Sequence, residues 1–159
     1  MRLLLSLSAW PAFILATAAA LSAFGNFSRS CTGVGLARRF ILGATCCRPE
    51  DDGTCTESAN ELDLTMCIGI NQTSGRMRWE VYGKFANYCA NCTMHTSTGK
   101  AEHFLACFCK PLVGPCGPVR STLNLDEGIA NDWGILKCAG GIAVPPRAGR
   151  GQLPSSVMG

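Results

Sequence analysis

Charge is scarce in this chain and is nowhere concentrated. Asp, Glu, Lys and Arg together make up 16% of the 159 residues, and the formal net charge is only +3. No run of Lys or Arg supplies the basic face that phosphate contacts to a nucleic acid require. The composition therefore argues against a nucleic-acid-binding protein.

Long apolar runs and histidines are also few. After residue 25 no apolar stretch is long enough for a transmembrane helix, and the sequence holds only two His. No segment keeps a helical spacing of apolar residues over three turns, so helix is limited to single turns. No Ser-His-Asp, Cys-His or carboxylate constellation can be assembled from motifs, and we predict neither an enzyme nor a cofactor.

The N-terminus carries the one long apolar segment. Met1-Arg2 precedes an apolar run from Leu3 to Leu21, and small residues close it at Ala20-Leu21-Ser22. This pattern is typical of a secretory signal peptide, assigned to residues 1–23, whereas a transmembrane anchor is the alternative for which the stretch is short. The mature chain is expected to be secreted and extracellular.

Cysteine is abundant, with 11 in the chain. In a secreted protein these predict disulfides, and the odd number leaves at least one cysteine without an intramolecular partner. Cys89 and Cys92 form a CxxC pair, but no buried strand of a βαβ unit precedes it as in redox domains. His95 and His103 could join cysteines around zinc, but no second CxxC or paired His motif supports a metal site.

The last 21 residues, 139–159, have a composition of their own. They are rich in Gly, Pro, Ser and Arg and almost lack large apolar side chains. Such a segment buries too little surface to order itself, and it lacks the apolar end of a lipid-anchor signal. We expect a disordered, dispensable tail and no membrane anchor.

Between these ends the chain repeats itself. "NFSRSC" at 26–31 recurs as "KFANYC" at 84–89, and "SGRMRW" at 74–79 matches "WGILKC" at 133–138 once two residues are dropped. A constant offset of 61 relates Cys46, Cys55, Leu62, Leu64 and Ile68 to Cys107, Cys116, Leu123, Leu125 and Ile129. We infer repeats at 26–80 and 84–138, each too small for a good core alone, so the halves should pack together or exchange strands.

The local pattern within each repeat is that of β structure. Short runs such as 39–44, 77–82 and 104–108 are interrupted by Gly, Pro and Asn, and Asp52-Gly53 is a hairpin-turn signal. The acidic group Glu50-Asp51-Asp52 falls in that turn, which favours a solvated turn over a catalytic carboxylate pair. The prediction is a mostly-β domain.

The motifs together resemble the cyanovirin-N homology family of small lectins. They are "NFSRSC", "ILGATC", "ELDL", "RMRW", "KFANYC", "FLAC" and, most specifically, "STLNLDEGIANDWGILKC", in family order over residues 26–138. The resemblance implies one elongated, mostly-β domain of two pseudo-symmetric intertwined repeats with short helical turns, as a monomer or a domain-swapped dimer. It also implies non-catalytic binding of mannose-type oligosaccharides or glycoproteins in two distant shallow pockets, without metal or cofactor.

The resemblance places both pockets on polar side chains and backbone groups. The first falls on Gly25, Asn26, Arg29, Ser30, Cys47, Arg48, Asn131, Asp132 and Trp133, and the second on Gly69, Ile70, Asn71, Gly83, Lys84, Asn87, Tyr88, Phe108, Cys109 and Lys110. Cys47 and Trp133 stand where acidic residues are expected. In the second pocket Gly69, Ile70, Phe108 and Cys109 replace polar residues, so the first is predicted to be the principal site.

The family pattern further implies one disulfide per repeat, Cys31–Cys46 and Cys89–Cys107. Cys47–Cys55 and Cys109–Cys116 would then clip two hairpins, although Cys47 directly follows Cys46 while Cys109 lies two residues after Cys107. Adjacent strand residues face opposite sides of a sheet, so this mismatch predicts a β-bulge in one half. The pairing of Cys67, Cys92 and Cys138 stays open.

Three N-glycosylation sequons begin at Asn26, Asn71 and Asn91. The first two border the predicted pockets, so an attached glycan could block either one. The altered pockets leave an alternative function open: a secreted scaffold or protein-interaction domain that has lost sugar binding.

Overall fold

The computed structural model describes residues 25–99, 101–114 and 117–146, so the predicted signal peptide lies outside it. The described chain is built of short strands and single 3-10 turns, with no α-helix and hence no helix able to cross a membrane. The 3-10 turns are η1 (Phe27–Arg29), η2 (Leu64–Met66), η3 (Phe85–Asn87) and η4 (Leu125–Glu127). The strands are β1 (Cys31–Arg38), β2 (Ile41–Pro49), β3 (Cys55–Asp63), β4 (Ile68–Ile70), β5 (Met77–Trp79), β6 (Cys89–Thr96), β7 (His103–Cys109), β8 (Val119–Asn124), β9 (Ala130–Asp132), β10 (Ile135–Cys138) and β11 (Gly141–Ile142).

The two repeats form matching antiparallel sheets. Strands β1, β2 and β3 make the first sheet and β6, β7 and β8 the second, each following a 3-10 turn that buries a phenylalanine. Both first strands are irregular, and Gly33 (φ 60°) and Asn91 (φ 51°) occupy the equivalent left-handed position. The prediction of a β-bulge in one half alone is therefore wrong: the register shifts in both first strands, whereas β2 pairs with β3 and β7 with β8 without a shift.

The second repeat differs from the first by a shift of two residues in its middle strand. Leu42 lies opposite Leu62 in the first sheet and Leu105 opposite Leu123 in the second. Strand β7 thus follows β2 at an offset of 63, whereas β8 follows β3 at 61. The gapless offset of 61 expected from the sequence is wrong for β7, and Cys109 is the equivalent of Cys46.

The sheets are interlocked, because the end of each repeat packs on the other one. Strand β10 packs against β3, and β5 packs against β8. Phe40 contacts the ring of Phe85 with centroids 5.2 Å apart, and at the equivalent place His103 contacts Phe27 at 5.7 Å. One continuous core results, and its largest fully buried side chains are Phe27, Phe85, Leu42, Leu62, Leu64, Ile68, Leu105, Leu125, Ile129 and Leu136. This confirms a mostly-β fold of two intertwined, pseudo-symmetric repeats.

Two buried polar side chains join the halves at equivalent positions. The Asn60 Oδ1 accepts a hydrogen bond from the Leu136 backbone N–H at 3.1 Å, and the Ser121 hydroxyl accepts one from Met77 N–H at 2.8 Å. Buried backbone groups need such partners, so each side chain fixes the hairpin contributed by the opposite repeat.

The structure pairs ten cysteines in five disulfides: Cys31–Cys46, Cys47–Cys55, Cys67–Cys138, Cys89–Cys109 and Cys92–Cys107. The first two were predicted. The predicted Cys89–Cys107 pair is wrong, because the register of β6 and β7 sets Cys89 opposite Cys109. Cys107 and Cys109 share one face of the strand, so a two-residue shift exchanges them without disturbing the pleat. The predicted Cys109–Cys116 pair fails with it, and Cys116 lies outside the described residues.

The segment after Cys138 corrects a second expectation. Residues 139–146 were predicted to be disordered, yet β11 pairs with β10 and Ala143 is buried. Val144 exchanges two backbone hydrogen bonds with Glu61, of 2.8 and 3.0 Å. Composition misled the prediction because backbone pairing to a sheet edge needs no large side chain. Residues 147–159 lie outside the described range.

Candidate functional site

The first predicted pocket exists as an open cleft of about 380 Å³. It lies where the end of η1, the end of β2 and the β9–β10 hairpin meet. Its walls are Ser30, Cys47, Pro49, Asn131, Asp132 and Trp133. Five of these six residues were implied by the resemblance; Pro49 was not, and it adds an apolar wall opposite the hairpin.

Asn131 holds the cleft together. Its amide nitrogen donates to the Cys47 carbonyl at 2.7 Å and to the Ser30 hydroxyl at 2.9 Å, and its amide oxygen accepts from the Gly134 N–H at 2.8 Å. Both amide hydrogens are thereby used within the protein. Asn131 positions the hairpin against η1 and β2 and has no donor left for a ligand.

The hairpin turn itself consists of Trp133 and Gly134. Asp132 pairs with Ile135, so the loop has two residues, and their φ angles are 52° and 82°. Positive φ at both positions is the pattern of a type I′ turn, which favours Asn-Gly or Gly-Gly. A tryptophan there is unusual, since bulky side chains seldom adopt this conformation. Its side chain is 67% exposed.

Two ion pairs lie at the cleft. Asp132 forms an ion pair with Lys137, and the Arg48 guanidinium donates to Glu50 at 2.8 and 3.0 Å. Hydrogen bonds from the Thr56 side chain and from Arg48 lower the pKa of Glu50 below its usual value. Glu50 is therefore ionised at neutral pH, as its contact with Arg48 requires.

Two further predicted residues do not line the cleft: Asn26 directly precedes η1 and Arg29 ends it. The side chains of Asn26 and Arg29 are exposed, and the Asn26 N–H donates to the Asp126 carbonyl at 2.8 Å. They flank the site at its η1 side.

The second predicted pocket is assembled differently. Lys110 N–H donates to the Tyr88 carbonyl at 2.8 Å, as Cys47 N–H does to Ser30 in the first half. The equivalent of Asn131 is Ile70, which is buried and has no amide to hold the neighbouring turn. Asn71 instead folds its side-chain oxygen onto the N–H groups of its own turn, at Thr73 and Ser74.

Lys84 and Asn87 lie at the two ends of η3, and both are exposed. The Lys84 N–H donates to the Thr65 carbonyl at 2.9 Å, which repeats the bond of Asn26 to Asp126. Phe108, Leu112 and Val113 expose apolar surface beside Lys110. Apolar side chains therefore reach the surface in the region where the resemblance implies a second pocket. All three sequon asparagines, at 26, 71 and 91, are exposed.

Sequence reasoning missed Asn60, which supports the cleft from below. Its amide nitrogen donates to the Gly134 carbonyl at 2.9 Å and to the Ser58 carbonyl at 2.8 Å, while its oxygen holds Leu136. The sequence carries no clear signal for this role, because Thr56 and Ser58 precede Asn60 on the same face of β3 and only Leu62 is apolar there.

Comparison with known proteins agrees with this architecture. The model of the CVNH domain family matches residues 27–137. An NMR structure of the CVNH protein of Gibberella zeae is 31% identical, with a TM-score of 0.59 over 72% of this chain and 97% of that one. The complex of microvirin with mannobiose is 25% identical, with a TM-score of 0.56 over 72% of this chain and 99% of that one.

A designed cyanovirin-N homolog lectin is 23% identical and shares the fold, with a TM-score of 0.57 over 71% of this chain and 98% of that one. A search of curated proteins gives no match. The match to the family model covers most of the folded residues, and the repeat, the interlocked sheets and the cleft agree with it. The chain belongs to the CVNH domain family of non-catalytic lectins and has their carbohydrate-binding fold.

Proposed function

We propose that the chain is a secreted lectin that binds mannose-type oligosaccharides in the first cleft, between η1, β2 and the β9–β10 hairpin. The observation that carries this proposal is the built cleft itself, whose hairpin wall is fixed by the three hydrogen bonds of Asn131. A wall held in place before binding loses little conformational freedom when a ligand enters. The solved microvirin complex with mannobiose supports the sugar class.

The chemistry of the cleft suits a neutral, hydroxylated ligand. Asp132 keeps a carboxylate oxygen beside its Lys137 pair, and Ser30 keeps a hydroxyl hydrogen whose contact with the Phe27 carbonyl is a long 3.5 Å. Sugar hydroxyls can donate to the first and accept from the second. Secretion is supported by the five disulfides, which persist in oxidising compartments.

The test is calorimetric titration of the enzymatically deglycosylated chain with a mannose oligosaccharide. Asn131→Ala removes the clamp of the first cleft and is expected to weaken binding about tenfold or more. Asn87→Ala, on the second region, is the matched control and should change Kd less than about twofold. Thermal unfolding by circular dichroism confirms that both variants are folded.

A larger loss from Asn87→Ala would place binding at the second region and contradict the proposal. If the unmutated, deglycosylated chain binds no immobilised glycan, the alternative of a protein-interaction scaffold survives. One observation favours that second function: Phe108, Leu112 and Val113, exposed by 47%, 50% and 58%, present apolar side chains to solvent in the region where a polar pocket is implied.

A further inference from the structure

Trp133 is not the residue type that would make its turn most stable. It occupies the first position of a two-residue turn at φ 52°, where Asn or Gly is favoured, and it leaves 67% of its surface exposed. Exposure gives the side chain no core packing to offset the conformational cost. Backbone strain of this kind, observed in a cleft, points to a functional role for the residue.

Few polar groups beside Trp133 remain free to bind a ligand. Asn131 uses both amide hydrogens within the protein, and Asp132 is paired with Lys137. Pro49 also lines the cleft, so an indole and a pyrrolidine ring both contribute apolar surface to it. An apolar ring with a few polar groups at its edge is the composition of a small-ligand site.

The hairpin holds the backbone of Trp133 in a fixed position. The Gly134 N–H is held by Asn131 and the Gly134 carbonyl by Asn60. A Cβ at Gly134 would lie 3.0 Å from the Arg48 Cβ, so the turn sits tightly on β2. The backbone of the turn is therefore pre-organised on both sides, which lowers the entropy lost on binding.

We propose that Trp133 is a stacking platform for a β-linked pyranose, an inference that rests on the glycan-binding function proposed above. The electron-rich face of an indole attracts the weakly positive hydrogens of a C–H surface and buries it from water. A β-linked pyranose of the gluco, galacto or manno configuration directs the hydrogens on C1, C3 and C5 to one face, which no axial oxygen interrupts.

Among pyranoses, an α-linked mannose is expected to stack poorly on the Trp133 indole. Its glycosidic oxygen is axial on one face and its 2-hydroxyl is axial on the other, so neither face lies flat on an aromatic ring. The platform accordingly selects the linkage: it favours a β-linked ring of a mannose-type oligosaccharide over an α-linked one.

The experiment titrates the deglycosylated chain with four β-linked disaccharides, β1,4-mannobiose, cellobiose, chitobiose and lactose, and with α1,2-mannobiose. We expect at least one β-linked sugar to bind about fivefold or more tightly than the α-linked one. Trp133→Asn should weaken that binding about tenfold or more, and Trp133→Phe, which keeps a ring, should retain most of it.

The matched control is Tyr82→Asn. Tyr82 is likewise an exposed aromatic residue, 60% accessible and with a φ of 54°, but it does not line the cleft. Its replacement should leave the Kd within about twofold. Trp133→Asn should also melt no lower than the unmutated chain, since Asn-Gly suits the turn, and lost binding then cannot be a loss of folding.

Fluorescence gives an independent measurement. In the predicted mature chain Trp79 and Trp133 are the tryptophans, and Trp79 is half-buried with its indole nitrogen inaccessible. In Trp79→Phe a saturating β-linked disaccharide should shift the remaining emission to the blue, as stacking removes water from Trp133.

Two results would contradict the proposed role of Trp133 while leaving the proposed lectin function intact. One is glycan binding that Trp133→Asn does not change, and the other is tighter binding of α1,2-mannobiose than of every β-linked sugar. An emission spectrum that does not move at saturation would also contradict that role. Absence of glycan binding by the unmutated chain would overturn both proposals.

Discussion

Asn60 shows how much of the candidate site depends on a single side chain that touches no ligand. Its amide serves the β9–β10 hairpin at Gly134 and Leu136 and its own strand at Ser58, and the residue is 5% exposed. In the second half Ser121, equally buried, serves only Met77. The pseudo-symmetry thus supplies an internal comparison of two buried polar residues.

Asn60→Ala should lower the free energy of unfolding by about 3 kcal/mol, because it orphans a buried carbonyl and a buried N–H at once. Ser121→Ala orphans one N–H and should cost about half as much. Denaturant unfolding at equilibrium measures both. Equal losses from the two substitutions would mean that the bond from Asn60 to Gly134 adds no stability.

The sequence predicts some features of the candidate site and not others. Asn131 and the polar losses of the second pocket could be read from the sequence, because the motifs around them are specific. The role of Asn131 as a clamp and not as a ligand could not, since it depends on Ser30, Cys47 and Gly134 meeting at one amide. Trp133 likewise looked like a lost acidic residue until its turn and its exposure were known.

Among the elements, β7 and β11 are where sequence reasoning failed. Strand β7 lies two residues from its expected register, and an even shift leaves the inward and outward faces unchanged. The pattern of apolar residues therefore could not reveal the two-residue shift of β7. Strand β11 is held by backbone hydrogen bonds, which amino-acid composition cannot predict.

The disulfides of β6 and β7 test the observed register. Replacing Cys92 and Cys107 together with Ala should leave the Cys89–Cys109 bond intact, with no gain in thiols over the unmutated chain. Replacing Cys89 and Cys107 together should leave Cys92 and Cys109 without partners and add two thiols. Thiol titration of the denatured proteins counts them, and the reverse result would restore the Cys89–Cys107 pairing.

The docked segment 139–146 makes a separate prediction. Ending the chain after Cys138 removes the backbone bonds of Ala143 to Leu136 and of Val144 to Glu61, and should cost about 2 kcal/mol. Ending it after residue 146 is the control, and the composition of 147–159 predicts no change in melting temperature. Equal melting temperatures of the two truncated chains would show that β11 adds nothing.

In the whole molecule, one disulfide among the described residues joins the two repeats. Cys67 follows η2 in the first repeat and Cys138 ends β10 in the second, and 71 residues separate them. The sequence indicated the repeat and the need for the halves to combine, because neither half could bury a core alone. It could not indicate this link, since Cys67 has no equivalent cysteine in the second repeat.

Removing the link should be the costliest loss of any one disulfide. In the chain-entropy model a loop of this length is worth about 4 kcal/mol, against about 2.5 kcal/mol for the short loop between Cys47 and Cys55. Double Ala variants of each pair, compared by thermal unfolding, give the ranking. A smaller loss from the Cys67–Cys138 pair would mean that packing between the repeats restrains them without it.

The central claim is that a glycan binds in the first cleft, between η1, β2 and the β9–β10 hairpin. The most direct measurement is amide chemical-shift mapping of the deglycosylated, isotope-labelled chain during titration with a mannose-type oligosaccharide. We expect the largest shifts at residues 30, 47, 48 and 131–134, together with the Trp133 indole N–H. Shifts concentrated at residues 84–88 and 108–110 would contradict it.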